Sequence, residues 1–451
     1  MLPKAFQNFV QERPICVMAQ AVLEHLFEPE RHDALFERVA QRQYTRTLLF
    51  SALVELMVAV VLCIEPSVYA GYRRRQKRLG VSDQAVYDKL DGMELAVAAA
   101  LVEDAAQQAG RVIDTLGARR QPWLKGYRTR IIDGNHLSAT EHRPAVLRTT
   151  WAGALPGKVL DVIEPETGLS THVFLTPDGH AQERSLLEDV VPLVEQRNLW
   201  IADRNFCTLK FLFGIAAAGG SFIIRQHGTV KGRRRGRRRL VGVGPSGKVY
   251  EQAIELTCAG VTLHLRRVTV DLNQPTRDGD WQLHLVTNLP VNVSAVVVAK
   301  LYAKRWTIEA LFYEVTQTLA CEIDALAYPK AALFVFCLAL LVANAVAVIK
   351  AALRAAHGEA EADELSSYYL ALEIEQAYDG MMVALPPPRW ALFRRMTAKQ
   401  FAAALLEIAA RVDRSLYRKS TRGPKKPPPQ RGRYKNGGHV STYKLLTERP
   451  P

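Results

Sequence analysis

The sequence predicts an α/β protein: a mixed sheet with helices on its faces, interrupted by a β-rich insertion and flanked by helical regions at both ends. Three observations carry this. From about residue 121, short apolar β-branched runs alternate with helical patterns. Residues 226–290 are rich in Gly, Arg, Val and Thr and alternate in polarity, as in VTLHLRRVTV (261–270) and WQLHLVTNL (281–289). Residues 1–120 and 291–417 read almost entirely as helix.

Taken in order, 1–120 forms a helical N-terminal region. Within it, Gly80 should end one helix and Ser82 cap the next, which runs through Val86 and Leu90. This pairing resembles a helix-turn-helix, with Gln84, Tyr87, Asp88 and Lys89 able to face a groove; a plain helical hairpin is the alternative. Residues 121–225 supply the first part of the core. RTRIIDG (128–134) is a strand, KVLDVIEPETGLSTHVFLTP (158–177) is two strands around a turn at 165–168, and ERSLLEDVVPLVEQR (183–197) is an amphipathic helix. LWIAD (199–203) is a strand, TLKFLFGIAAAG (208–219) a helix, and SFIIR (221–225) a fifth strand. Three strands followed by alternating units match the element order of an RNase H-like fold, in which the first and fourth strands are neighbours. After the insertion at 226–290, the core resumes at 291–355, with Ser294 capping a helix that continues through Glu309. A helical region at 356–417 and a tail at 418–451, rich in Pro, Gly and basic residues and expected to be disordered until it meets DNA, complete the chain.

Charge points to a polyanionic partner. Lys and Arg total 59 against 45 Asp and Glu, a net charge of +14, and the pI is near 9.5. Arg73, Arg74, Arg75, Lys77 and Arg78, the run KGRRRGRRR (231–239), expected on a loop or hairpin, and the stretch 418–435 together carry twenty positive charges, leaving the rest near −6. A mildly acidic body with local basic stripes suits a protein that grips nucleic acid at defined places. Six cysteines without a CxxC pair argue against a zinc site or a disulfide framework and for a reduced, cytoplasmic protein. The N-terminus lacks the apolar stretch of a signal peptide. Residues 331–349 are uncharged over nineteen positions, but their Ala content and Asn344 fit a helix buried on all sides better than a membrane span.

The candidate chemistry lies in three acids. Asp133 ends the run RIIDGNHL, Asp203 ends LWIADRNF, and Glu309 lies in the helical YAKRWTIEALFYEV. Carboxylates at neighbouring strand ends, with a third from a helix above, can hold two divalent cations about 3.5–4 Å apart for an in-line displacement at phosphorus. Tyr302, Arg305, Glu309 and Thr316 are spaced by 3, 4 and 7 and share one helical face. Arg305 can then pair with Glu309 or hold a phosphate. Glu314 points to another face, Asp161 and Glu164 read as structural or surface groups, and His136 as a structural histidine. Arg204 and Arg225 are candidate phosphate contacts.

These residues resemble the DDE transposases of the bacterial insertion-sequence-four family. That family carries a tyrosine, arginine, glutamate and lysine on the helix of the catalytic glutamate; Tyr302, Arg305 and Glu309 match, and Thr316 stands where the lysine is expected. Asp133 and Asp203 resemble the two catalytic aspartates, 70 residues apart, and the 106 residues between Asp203 and Glu309 accommodate the family's inserted β domain. The resemblance implies cut-and-paste DNA transposition, with Asp133, Asp203 and Glu309 catalytic and binding two Mg²⁺, for which Mn²⁺ can substitute. It further implies DNA contacts by Tyr302, Arg305, Arg204, Arg225 and the basic residues Arg73, Arg74 and Arg75. Lys304 or the nearby arginine runs would take over from the absent lysine, and Trp281, 28 residues before Glu309, would stack on a displaced base. The implied partners are double-stranded transposon ends and target DNA, bound by a homodimer in a paired-end complex, in a bacterial cytoplasm and without a membrane. The alternatives are an RNase H-like nuclease or junction resolvase without strand transfer, and an inactive DNA-binding derivative.

Overall fold

The computed structural model describes residues 3–276, 279–309, 312, 319–323, 325–419 and 438–448. Glu314, Thr316 and most of the basic stretch 418–435 lie outside them.

The core is built on strands β1 (Arg128–His136), β3 (Lys158–Glu164), β4 (Leu169–Thr176), β5 (Asn198–Ala202) and β6 (Ser221–Arg225), with a short β2 (Gly153–Leu155) beside them. The insertion contributes β7 (Arg233–Gly244), β8 (Gly247–Cys258), β9 (Val261–Leu272) and β10 (Gln282–Thr287). Among the described residues, all but β2 join one mixed sheet in the order β4-β3-β1-β5-β6-β10-β9-β8-β7. β1 runs antiparallel to β3 and parallel to β5, and β5 parallel to β6. The first and fourth core strands are therefore neighbours, as an RNase H-like core requires. The insertion does not stand apart. β10 pairs antiparallel with β6, so its ladder continues the core sheet.

Alternation along these strands sorts their side chains onto two faces. Ile132, Trp200, Ala202 and Ile224 pack under helix Leu209–Ala217, in a cluster with Phe211 and Leu212. Ile131, Val159 and Val173 face the other way, against the helix Pro329–His357. That helix is long and apolar enough to cross a membrane, yet its apolar stretch is wholly buried in the protein. Asn344, in its middle, explains how a polar group is tolerated there. Its amide accepts from the Ser170 N–H and donates to the Ser170 carbonyl, both at 2.9 Å, so the edge of β4 is bonded to the helix.

The N-terminal region folds as helices from Lys4–Glu12 to Leu95–Thr115. Ser67 caps helix Val68–Leu79, Gly80 ends it in the left-handed region at φ 65°, and Ser82 caps Asp83–Asp91.

Several expectations need correction. The stretch 183–197 is not one amphipathic helix but 3₁₀ turns at Glu183–Leu186 and Val191–Leu193 around a single helical turn, Leu187–Val190. Pro192 has no N–H to continue the ladder. The helix from Ser294 does not run through Glu309: Ala295–Ala303 ends, 304–305 form a turn, and helix resumes at 306. The arginine run, by contrast, lies on a hairpin as expected, forming the edge strand β7 beside β8. The tail is ordered in part, since β11 (His439–Ser441) pairs with β2 and leads into helix Thr442–Glu448, with Ser441 and Thr442 buried.

Candidate active site

β1 and β5 lie side by side in register, Ile132 opposite Ala202, and the next residue on each strand is an aspartate. Asp133 and Asp203 are thus neighbours by strand pairing alone. By alternation both lie on the face of Ile131 and Ile201, the face covered by the helices around Tyr302 and Ile308. Asp133 does not end its strand, as the sequence suggested. β1 continues to His136 along β3 after its ladder to β5 has stopped. Asp203 does follow the last residue of β5 and opens the turn Arg204–Phe206.

The third acid arrives through the break at 304–305. Arg305, at that break, turns inward: its Nη1 donates to Asp133 Oδ2 at 2.5 Å and its Nη2 to Glu309 Oε1 at 2.6 Å. The Tyr302 hydroxyl donates to Asp203 Oδ1 at 3.4 Å. Tyr302, Arg305 and Glu309 therefore meet both aspartates although no single uninterrupted helix carries them.

The electrostatics follow from the count of charges. Three carboxylates and one guanidinium leave the cluster at a formal −2. Burial first, and then the charges of Asp203 and Glu309, raise the Asp133 carboxyl from 3.8 to about 6, against the pull of Arg305 and the Gly134 N–H. Arg305 moves upward from its ordinary value. Burial works against its charge, but Asp133, Tyr302, Asp203 and Glu309 together outweigh it. Both partners of one ion pair thus rise, because Arg305 sits among several acids while Asp133 has one cation against two acids and little water. Tyr302 is likewise raised, by burial and then Asp203, and stays a hydrogen-bond donor.

The donor set is all oxygen, which suits a hard divalent cation, and the residual −2 is the charge such an ion neutralises. In this arrangement the cationic place between Asp133 and Glu309 is taken by the Arg305 guanidinium, whose buried Nε has no hydrogen-bond partner among the described residues. Among the described residues, no three His, Cys, Asp or Glu side chains stand close enough to form a ready-made ion site. The predicted shared metal cage of Asp133, Asp203 and Glu309 is therefore not preformed: Arg305 holds two of its members.

The other predicted residues fall at stated places. Arg225, ending β6, pairs with Asp280 at 2.5 Å, and Arg204 lies 3.7 Å from the same carboxylate. Trp281, the next residue, is 60% exposed. Lys304 sits over the Trp123 ring at 5.1 Å, not over the acids. Arg73 is exposed, but Arg74 pairs with Glu65 and Asp379, and Arg75 with Glu65 and Glu55. That basic helix is thus largely neutralised from within. Lys89 donates to the Tyr44 carbonyl and lies over Phe36, which leaves it engaged in the fold.

Sequence reasoning missed Glu183. Its carboxylate accepts from Asn205 Nδ2 at 2.7 Å and lies 3.4 Å from His136 Nδ1. It also fills the space where a Cβ on Gly134 would stand, 2.4 Å from the Glu183 Cδ. Glu183 thus ties the residue after Asp133 to the turn after Asp203. Only the glycine beside Asp133 hinted at such a close approach.

Residues 124–344 match the family model described as Transposase DDE domain, a span that contains Asp133, Asp203 and Glu309, and this supports a DDE transposase. Among solved structures, "Cryo-EM structure of piggyBac transposase synaptic complex with hairpin DNA (SNHP)" is similar at 10% identity and a TM-score of 0.39, covering 95% of this chain and 90% of that one. No curated protein matches the chain.

Proposed function

We propose that this protein is a DDE transposase of the insertion-sequence-four type, which binds the ends of a DNA element, cleaves them and joins them to a target. The observation that carries this reading is the meeting of Asp133 and Asp203 at adjacent strand positions with Glu309, through the shared Arg305. The reaction is hydrolysis of a phosphodiester, which frees a 3′-hydroxyl, followed by attack of that hydroxyl on phosphorus in a second strand. One P–O bond forms and one breaks at each step, so no oxidant or reductant is needed.

Asp133, Asp203 and Glu309 would hold two Mg²⁺, or Mn²⁺ in their place, and bound cations of this kind stabilise the attacking and leaving oxygens. The chain's own groups do the rest. Arg305 orients Asp133 and Glu309, and its guanidinium would be available beside them to donate to a phosphate oxygen. The Tyr302 hydroxyl orients Asp203. Arg204 and Arg225, now sharing Asp280, are further candidate contacts for the DNA backbone, and the exposed Trp281 offers an aromatic face to a base turned out of the duplex. Double-stranded DNA is the substrate, and a homodimer would bring two ends together.

The test uses end-bearing DNA, with cleavage and joining followed in Mg²⁺ and binding in Ca²⁺. Asp133→Ala, Asp203→Ala and Glu309→Ala should each abolish cleavage while binding survives. A variant that still cuts removes its residue from the catalytic set, and cutting by the parent without any joined product favours a plain nuclease.

A further inference from the structure

Strand β7 carries six arginines between 233 and 239, all exposed, and alternation divides them between two faces. On one face two glutamates of β8 stand among the arginines. Arg235 pairs with Glu255 at 2.8 Å, Arg239 stands opposite Glu251 in the ladder, and Glu251 also binds Arg266. The other face differs. Arg234 stands opposite Ile254, and Arg267 of β9 stands opposite Val286 of β10. Arg267 donates only to a neutral amide, Gln226 Oε1, at 2.7 Å. Arg238 lies over the Tyr250 ring at 3.8 Å and is matched by Asp271 at 2.6 Å. Among the described residues, neither Arg234 nor Arg267 has a carboxylate within ion-pair reach.

These groups surround a pocket of about 300 Å³. Gln226, His227, Lys231, Arg234, Arg267 and His284 line it. The cations crowd one another: burial and then Arg234 and Arg238 depress Arg267, and burial and then Arg267, Arg238 and Arg234 push His284 down to about 4, against Asp271. Arg234 and Arg267, held on strands with the one nearby acid, Asp271, already paired to Arg238, are stabilised when an anion enters.

We propose that this pocket is a phosphate-binding subsite that holds a backbone phosphodiester of double-stranded DNA away from the reacting centre. The inference rests on DNA being the substrate, as proposed above. An extended polyanion is favoured over a small anion because the pocket continues into the exposed arginine edge of β7. The site is distinct from the acids: Ile254 and Val286, which share its face, pack under helix Leu209–Ala217, whereas Asp133 and Asp203 lie on the opposite face. DNA reaching both must wrap the end of the sheet.

The experiment measures binding of end-bearing duplex DNA to the full chain in Ca²⁺ across a salt series. For Arg234→Gln with Arg267→Gln, affinity should fall about tenfold, and the slope of log affinity against log salt should flatten by about 1. Arg411→Gln, an exposed cation paired with Glu407 in the C-terminal helical region, should change neither, and a thermal melt of the double variant matching the parent's excludes misfolding. Unchanged affinity and slope in the double variant overturn the subsite while leaving the transposase reading intact. A parent that binds no DNA sinks that reading itself. If inorganic phosphate raises the parent's melting temperature, but not the double variant's, while DNA affinity is the same in both, the pocket takes a small anion and the DNA assignment is overturned.

Discussion

Replacing Asp133 by Asn should make the protein relatively more stable as pH rises, while destroying its activity. The Asp133 carboxyl is raised from 3.8 to about 6 by burial and by its acidic neighbours. A group whose folded value lies above its unfolded one holds more protons folded than unfolded, so the parent loses stability as pH rises between these values. A shift of about 2 units corresponds to about 3 kcal/mol at pH 8 and to almost nothing at pH 4. The side chain is only 18% exposed, so solvent screening removes little of this. Asn cannot ionise and escapes the cost, although it weakens the bond from Arg305 at every pH. The stability difference between variant and parent should therefore move in the variant's favour by about 3 kcal/mol from pH 4 to pH 8. Urea unfolding of both proteins in EDTA at several pH values measures it. Mg²⁺ should shrink the difference, because a bound cation stabilises the carboxylate of the parent. A difference that stays flat across this range, or grows in the parent's favour, refutes the account of the acidic cluster.

Trp281→Ala should spare the first nick and slow the following step by about tenfold to a hundredfold, the loss expected of one base-stacking contact; equal loss at both steps in a time course on end-bearing DNA would count against stacking. Gly134→Ala places a Cβ against the Glu183 carboxylate, so it should cost about 1–2 kcal/mol and much of the activity. Adding Glu183→Ser should restore stability, measured by thermal melting, but not the tie to Asn205. Asn344→Leu removes both bonds to the Ser170 backbone and should cost about 2–4 kcal/mol by leaving two buried groups unpaired. A melting temperature equal to the parent's would show that β4 and the long helix do not depend on that amide.

The sheet was legible because each core strand is a short apolar run, and the aspartates stood out because they follow such runs directly. Alternation in WQLHLVTNL (281–289) identified a strand, but not its partner; that β10 joins β6 depends on long-range pairing, which local pattern does not encode. The break at 304–305 was hidden for another reason. Tyr302, Arg305, Ile308 and Phe312 are all buried and recur at intervals of 3, 3 and 4 across it, so periodicity reads as continuous while the backbone turns. In 183–197 the reverse holds: the apolar spacing suggests a helix, and Pro192 overrides it. Glu183 was opaque because its role lies in contact with residues about 50 positions earlier and 22 later.

The arginine run shows the same limit from the side of charge. Composition reveals seven positive groups in nine residues but not which are already matched. Only the β7–β8 register shows Glu251 and Glu255 answering one face and Ile254 standing on the other. The candidate site works by the same logic with the signs exchanged. Three acids would repel one another if they shared a dry pocket, and Arg305 lets them approach before any cation is bound. Its position between Asp133 and Glu309 means that divalent ions held by these acids, as proposed above, would compete with the guanidinium. In the proposed DNA complex a phosphate would be a favourable partner for this guanidinium. The residue that pairs with the acids is thus also the one that, on that reading, would meet the substrate.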